Sequence, residues 1–526
     1  MTGKVRLSYI LSIDAGTTGI RSIIFDKENN IISQAYSDIP TIYPKPGWVE
    51  QEPKTIWNKC LQVVNESLKN QALNAQDIQA IGITNQRSTS VIWDKVTGEP
   101  IYNAISWQDM RASDLCKEKM NTLKMRAIKG VGSILKTLLQ FVKPISASEF
   151  GKLMITISSL SINPGTALSN IAWMLNNIEG AKERAKKGEI IAGTLDTWLI
   201  WNLTNAKVHA TDYSNASSTN MYDTFKLQWS SLFLDLFDIP KQILPEVRES
   251  SDNYGNTSEN HFGSPIPITG VIADQQSALF AETCFTPGDI KCTHGTGTFI
   301  DMNVGSQPVA TRHRLVPLIG WSLDGQVTYM LEGYINTTGS AVQWLCEGLQ
   351  IINDPSEAEI LANNVDDSGG VFFVPALQGL TSPYWDPLAR GVIIGLTRGT
   401  KKEHIVRALL EAIAYRCRDV ITAMEHDSGL KIKSIKTDGN ASKNNFLIQF
   451  MADLMEIEIE RPQQLEATAL GAAYLAGLKT GYWKSMEDIK LYRKTEKTFQ
   501  RKQINPQIEE NYIKWKKAIE RSFNWG

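Results

Sequence analysis

The stretch Leu7-Ser8-Tyr9-Ile10-Leu11-Ser12-Ile13, running into Asp14-Ala15-Gly16-Thr17-Thr18-Gly19, decides how this chain is read. A short apolar run that closes on an acid and a bend of small, hydroxylated residues predicts a strand and its turn. A second apolar run at 22–25, turn formers at 26–30 and a third strand candidate at 31–36 complete a β-meander. The pattern returns in the second half: a strand candidate at 289–293, the bend His294-Gly295-Thr296-Gly297-Thr298, then a strand candidate at 299–303. Gly-Thr bends are common between strands, but a pair of such units points to a duplicated architecture. Helical stretches at 53–68 and 409–423, the second with apolar residues at helical spacing, alternate with the strands, and the class is α/β.

The overall numbers are those of a globular chain: 526 residues, 42% hydrophobic and 21% charged, with 54 basic against 56 acidic side chains. The length asks for two large domains or three small ones. A boundary is expected in the Ser-, Asn-, Gly- and Pro-rich segment 250–267, giving domains 1–266 and 267–526. The near-neutral balance lacks the basic surplus of a nucleic-acid binder, so a small-molecule ligand is the expected partner. Six cysteines stand far apart without metal-ligand spacing and read as reduced, buried thiols. The polar start and the lack of a long apolar run predict a cytoplasmic protein with no secretory signal and no membrane span. One segment departs from the average. In 117–152 stand Lys117, Lys119, Lys124, Arg126, Lys129, Lys136, Lys143 and Lys152 against Glu118 and Glu149, with apolar residues interleaved. It reads as a solvated basic insertion, with a membrane-surface or partner helix as the alternative.

The chain contains no H-E-x-x-H, G-x-S-x-G, Walker-type or dinucleotide-binding glycine motif. What it offers suits phosphate. In the bend after Ile13, small residues let the backbone approach an anion, Thr17 and Thr18 add hydroxyl donors, and Arg21 is in reach. Asp14 would repel phosphate unless a divalent cation stands between them, which implies Mg²⁺ held largely through water. The bend around Thr296 offers the same donors without the acid. A phosphoryl acceptor needs a carboxylate to take its proton. Asp274, at the end of the apolar stretch Gly270-Val271-Ile272-Ala273, is the candidate, although it could instead cap a helix over 275–282. Arg87 and Asp109 are further polar residues after apolar runs. Trp107 could wall a polyol pocket, with core packing as its ordinary role.

Four stretches together resemble the FGGY carbohydrate kinases: Gly82-Ile83-Thr84-Asn85-Gln86-Arg87, Ala273-Asp274-Gln275-Gln276-Ser277-Ala278-Leu279-Phe280, Ser382-Pro383-Tyr384-Trp385-Asp386-Pro387 with Arg390-Gly391, and residues 469–477. The likeness runs from about Ile10 to Trp483. It implies two actin-like (ribonuclease H-like) domains flanking a central cleft, polyol mainly on the first and ATP mainly on the second. By the resemblance, the activity is ATP-dependent phosphorylation of a polyol, glycerol to glycerol 3-phosphate in the first place. A larger polyol or sugar as acceptor, or a nucleotide-binding pseudokinase with a regulatory role, are the alternatives, and a homo-oligomer is left open. The resemblance puts Thr17, Thr18 and Arg21 on the ATP phosphates, Asp14 near Mg²⁺, and Thr296, Gly339, Gln343, Asn440 and Asn444 in the nucleotide site. It puts Arg87, Ser88, Trp107, Asp274, Gln275 and Phe299 in the polyol pocket and makes Asp274 the general base. Three positions depart from the family pattern. Ser88 stands where a Glu follows the N-Q-R motif, Gly165 where a Tyr follows Asp-Pro, and Asn440 where D-G-G has its second Gly.

Overall fold

In the computed structural model, residues 8–139, 162–502 and 506–526 are described. The chain divides into two compact units. Unit 1 comprises Met1–Thr283, Leu318–Tyr329 and Glu466–Arg493, and unit 2 comprises Cys284–Pro317, Met330–Leu465 and Lys494–Gly526.

Unit 1 is built on the meander expected from the opening residues. Strands β1 (Tyr9–Ala15), β2 (Gly19–Phe25) and β3 (Ile31–Asp38) pair antiparallel in succession. Strand β4 (Ile78–Asn85) then lies parallel to β1, and β5 (Ile268–Ala273) parallel to β4. The sheet order is β5-β4-β1-β2-β3. Nearly every residue of β1, β4 and β5 is buried, as expected of strands covered on both faces. One cover is the helix Ala467–Lys479, whose buried small residues let its backbone lie directly on the sheet. A Cβ at Gly82 would come within 2.2 Å of the Ala472 carbonyl oxygen, and one at Gly270 within 2.5 Å of the Ala476 nitrogen. Glycine is required at both places by this approach.

This packing explains why the division differs from the 266/267 boundary expected from composition. Segment 250–267 is rich in turn formers, yet its backbone is paired onto β5 and its approach, with Tyr254 N–H donating to Ile268 and Asp252 N–H to Thr269. Tyr254 itself is fully buried. The segment is part of unit 1, β5 completes the sheet of unit 1, and the break falls at Thr283.

Unit 2 repeats the arrangement. Strands β6 (Asp289–His294) and β7 (Thr298–Gly305) pair antiparallel. They are followed by β8 (Val316–Leu323) and β9 (Gln326–Ile335), of which Leu318–Tyr329 is counted with unit 1. β10 (Ser434–Asp438) runs parallel to β6, β11 (Ile459–Pro462) parallel to β10, and β12 (Thr495–Phe499) antiparallel to β11. The order is β8-β9-β7-β6-β10-β11-β12. Its inner five strands match those of unit 1 place for place, so the paired Gly-Thr bends mark a real structural duplication, and each unit has the ribonuclease H-like topology. The helix expected at 409–423 is the middle of Lys402–Ser428, and that expected at 53–68 is Pro53–Asn70.

Of the basic segment, helices Ser113–Met120 and Leu123–Leu139 are described. Lys143, Glu149 and Lys152 lie outside the described residues. Among the described residues no helix is long and apolar enough to cross a membrane.

Candidate active site

In unit 1 the sheet itself gathers the site. β1, β4 and β5 are adjacent and parallel, with Ala15 level with Asn85 and Asn85 level with Ala273. Residues at or just past their carboxyl ends therefore share one edge of the sheet: Asp14 from β1, Arg87 from β4 and Asp274 from β5. Crevices at such strand ends are where open α/β sheets bind ligands.

Asp274 is the first residue of the helix Asp274–Ala281, whose N-cap is Ala273. Its Oδ1 accepts the Gln275 backbone N–H at 2.7 Å and stands 3.3 Å from Nε of Arg87. Asp274 is thus the first helical residue and not the N-cap, and its carboxylate is shared between a first-turn N–H and the Arg87 guanidinium. Gln275 follows on the same turn, and Gln276 is buried, its amide donating to the Ser218 hydroxyl at 3.3 Å.

Asp14 and Arg21 are cross-strand partners in the β1–β2 ladder, which brings Arg21 Nε to 3.3 Å from Asp14 Oδ2. Burial pushes the Asp14 carboxyl up to about 6 against the pull of Arg21, and the carboxylates of Asp274 and Glu466 act in the same direction as burial. Arg21 also donates through Nη1 to Glu466 Oε2 at 2.5 Å. Glu466 was not singled out in the sequence. The only signal was its position just before the small-residue helix at 467–479, a place that says nothing about a partner at position 21.

In the β1–β2 bend, Gly16 N–H donates to Gly19 carbonyl and closes the turn. Thr17 accepts Trp107 Nε1–H at its hydroxyl, 3.1 Å away, and Gln51 at its carbonyl. The Thr18 carbonyl accepts Ile39 N–H. Trp107 is 39% exposed, so core packing, its ordinary role, is not what it does here. Asp109 is not at the rim. It is fully buried and locks Arg111 through Nε and Nη2 while accepting the Val49 N–H.

The departures have physical consequences. Ser88 has φ of 65°, and its hydroxyl donates to the Ser218 carbonyl at 3.0 Å. At Gly165 a Cβ would come within 1.9 Å of the Trp107 carbonyl oxygen. No side chain fits there while the backbone runs this way, so Gly165 supports the turn that carries Trp107.

In unit 2, Thr296, Gly339, Gln343, Asn440 and Asn444 line one cleft of ≈1150 Å³, together with Ser340, Lys443 and Leu447. The Gly295–Gly297 bend is closed by Gly295 N–H to Gly297 carbonyl, and its carbonyls accept the first N–H groups of the helix Gly339–Glu347. Gly339 has no alternative, since a Cβ would stand 2.5 Å from the Gly295 oxygen. Beneath the bend, fully buried His294 shares a hydrogen bond with Thr298 at 2.9 Å, and Thr298 one with Thr338 at 2.8 Å. Thr338 makes no side-chain cap at its own helix because its hydroxyl is committed to this chain. Burial, with Lys291 acting in the same direction, holds the His294 imidazole down at about 4 and therefore neutral. The chain was not foreseen, because hydroxyls 40 residues apart meet only once the helix docks. Asn444 caps the helix Asn445–Met455 through the Leu447 N–H, while exposed Asn440 opens the short turn Asn440–Lys443. Gln343 donates to Glu347 one turn on. Phe299 also belongs to unit 2, stacked on Tyr334 with ring centroids 4.5 Å apart.

The N-terminal domain of the FGGY family of carbohydrate kinases matches residues 9–145 and 139–281, and the C-terminal domain of that family matches 290–480. The chain is 46% identical over 519 residues to glycerol kinase 2 of Thermotoga maritima, covering 99% of each protein. It is 45% identical to the glycerol kinase of Bacillus mycoides, covering 97% of this chain and 98% of that one. Among solved structures, Plasmodium falciparum glycerol kinase with ADP superposes with a TM-score of 0.87 at 33% identity, covering 98% of both chains. The gluconate kinase of Lactobacillus acidophilus shares the fold, with a TM-score of 0.82 at 20% identity over 98% of this chain and 97% of the other. With both domains matched in order and the resemblance running the length of the chain, the protein belongs to the FGGY family of carbohydrate kinases.

Proposed function

We propose that this protein transfers the γ-phosphoryl group of ATP to a primary hydroxyl of glycerol, giving glycerol 3-phosphate and ADP. The observation that carries the reading is the Arg87–Asp274 pair at the carboxyl ends of β4 and β5, in a chain that keeps 46% identity to a glycerol kinase along its whole length. An attacking hydroxyl must lose its proton as the new P–O bond forms, and a carboxylate at the open end of a sheet can take it. Asp274 has that role. Arg87, 3.3 Å away, orients it, while Arg87, Trp107 and Gln275 hold the polyol. Ser88 and Phe299 keep the pocket places that the resemblance implies.

The cleft of unit 2 suits the nucleotide, with Thr296 and Gly339 at the phosphate end and Asn440, Asn444 and Gln343 around the nucleoside. Thr17, Thr18 and Arg21 are the phosphate contacts of unit 1. A divalent cation fits beside Asp14. Its carboxyl offers hard oxygen donors, with the carboxylates of Asp274 and Glu466 adding negative charge beside the Arg21 guanidinium 3.3 Å away. Among the described residues no group of three His, Cys, Asp or Glu could enclose an ion. Mg²⁺ would therefore be held mainly through water and phosphate oxygens, where it would neutralise charge on the transferred group. The six free cysteines fit a reducing, cytoplasmic compartment.

Ser88 and Gly165 leave the polyol pocket without a carboxylate and a ring that the family pattern supplies, which favours a roomier acceptor as a second reading. A missing charged hydrogen bond is worth roughly 1.5–3 kcal/mol, about ten- to a hundredfold in affinity. An acceptor panel with Mg·ATP tests both. ADP release that rises with glycerol supports the proposal, and release only with a longer polyol moves it to the second reading. Nucleotide binding with no acceptor-dependent turnover would make the protein a pseudokinase and overturn both.

A further inference from the structure

The helix Leu123–Leu139 lies in unit 1 and presents its faces in an unusual order. Met125 is fully buried and anchors the helix to the body of the unit, and Ile128 is half-buried beside it. The opposite face is also apolar. Leu123 is 86%, Val131 50% and Ile134 62% exposed, and Ala127 between them is exposed as well. Positions i, i+4, i+8 and i+11 fall within an arc of about 80° at roughly 100° per residue, so the four form one stripe along about 17 Å of helix.

On the wheel, exposed Lys124 flanks this stripe on one side and exposed Arg126 on the other. The helix contains no acid, and among the described residues no ion pair is made by Lys124, Arg126 or Lys129.

An apolar stripe of this kind is costly in water, and its basic borders repel any partner that lacks matching negative charge. A protein groove would need acids along both margins and an apolar floor between them. An anionic bilayer offers this everywhere in one plane, with headgroup charge at the surface and acyl chains a few ångströms below. The helix is too short and too charged to span, so the geometry is that of lying on the surface.

We propose that this face of the helix Leu123–Leu139 is a reversible docking surface for bilayers rich in anionic lipid. Leu123, Val131 and Ile134 dip into the interface, and Lys124 and Arg126 pair with the headgroups. This surface involves none of the residues placed in the kinase site.

The test is co-sedimentation of the full chain with vesicles of phosphatidylcholine alone and of phosphatidylcholine with phosphatidylserine. Binding to the second kind only, weakened by added salt, is expected. A double variant Val131→Asp, Ile134→Asp and a second, Lys124→Glu, Arg126→Glu, should each lower the bound fraction at least about tenfold. Both should keep the parent's circular dichroism and its turnover without vesicles. Equal binding to both kinds of vesicle, no binding to either, or full binding by the charge-reversed variant overturns the proposal. So does a lower oligomeric state of the Val131→Asp, Ile134→Asp variant in light scattering with vesicle binding intact, which would make the stripe a contact between copies of this chain.

Discussion

Replacing Asp274 by Asn changes one oxygen to an amide and leaves the size of the side chain unchanged. At the observed 3.3 Å, the attraction between Arg87 and the carboxylate is about 5 kcal/mol at an effective dielectric constant of ~20, before desolvation is subtracted. The remaining amide oxygen can still accept from the Gln275 N–H, so the turn into the helix Asp274–Ala281 should survive. What the variant cannot do is accept a proton from the attacking hydroxyl. Loss of a positioned base costs on the order of 10²–10⁴ in rate, about 3–5 kcal/mol in the barrier. The expected result is a fall of that size in kcat for glycerol, with ADP affinity by calorimetry unchanged, because the cleft lined by Thr296, Gly339 and Asn444 is built by unit 2 alone. The assay is coupled ADP release over a glycerol series, with circular dichroism to establish folding. A folded Asp274→Asn protein turning over at the parent's rate would falsify the assignment of Asp274 as base.

Gly339→Ala should weaken ADP binding about ten- to a hundredfold, since the new methyl would meet the Gly295 oxygen at 2.5 Å and push the Thr296 bend aside; unaltered calorimetric affinity would remove that bend from the nucleotide site. Gly82→Ala should lower the unfolding temperature through a loss of about 1–3 kcal/mol or more, because its Cβ meets backbone of the helix Ala467–Lys479 at 2.2 Å. Calorimetric scanning reads this, and a variant as stable as the parent would mean that the helix does not lie on β4 as described. His209 donates its Nε2–H to the Ala192 carbonyl, 3.0 Å away, and burial pulls its imidazole down to about 4. The unfolded chain takes up that proton near pH 6.5, so His209 contributes full stability above this value and loses it as pH falls towards 4. Asp196, raised to about 6 by burial, acts with the opposite sign in the same window, so the comparison must be made against His209→Gln. The parent should lose up to about 3 kcal/mol relative to that variant between pH 7 and pH 4 in urea titrations. Parallel pH curves for the two proteins would show that His209 protonates freely in the folded state.

The meanders around Gly16 and Gly297 could be read because a strand, its bend and the next strand are neighbours in sequence, and their patterning is local. So could the strand-end positions of Asp14, Arg87 and Asp274, each of which follows an apolar run. Their meeting could not be read. Arg87 and Asp274 touch only because β5 adds to β4 in one parallel register, and Arg21 is held by Glu466 only because the helix Ala467–Lys479 returns to unit 1. Asp109 looked like Arg87 in sequence, a polar residue after an apolar run, but Arg111 two residues on folds back and buries it. Segment 250–267 looked like a linker because turn formers also occur where backbone must bend to pair with a strand.

By itself the sequence determined the α/β class, the duplicated strand, bend, strand units and the residue types able to handle phosphate and a proton. These depend on hydrophobic period and on what small residues allow the backbone to do within a few positions. The tertiary structure alone decided which carboxylate faces which guanidinium, where the units divide, and that Gly82, Gly165 and Gly339 each admit a neighbouring backbone. Those outcomes depend on register and helix docking between segments far apart in the chain, and no local pattern specifies them.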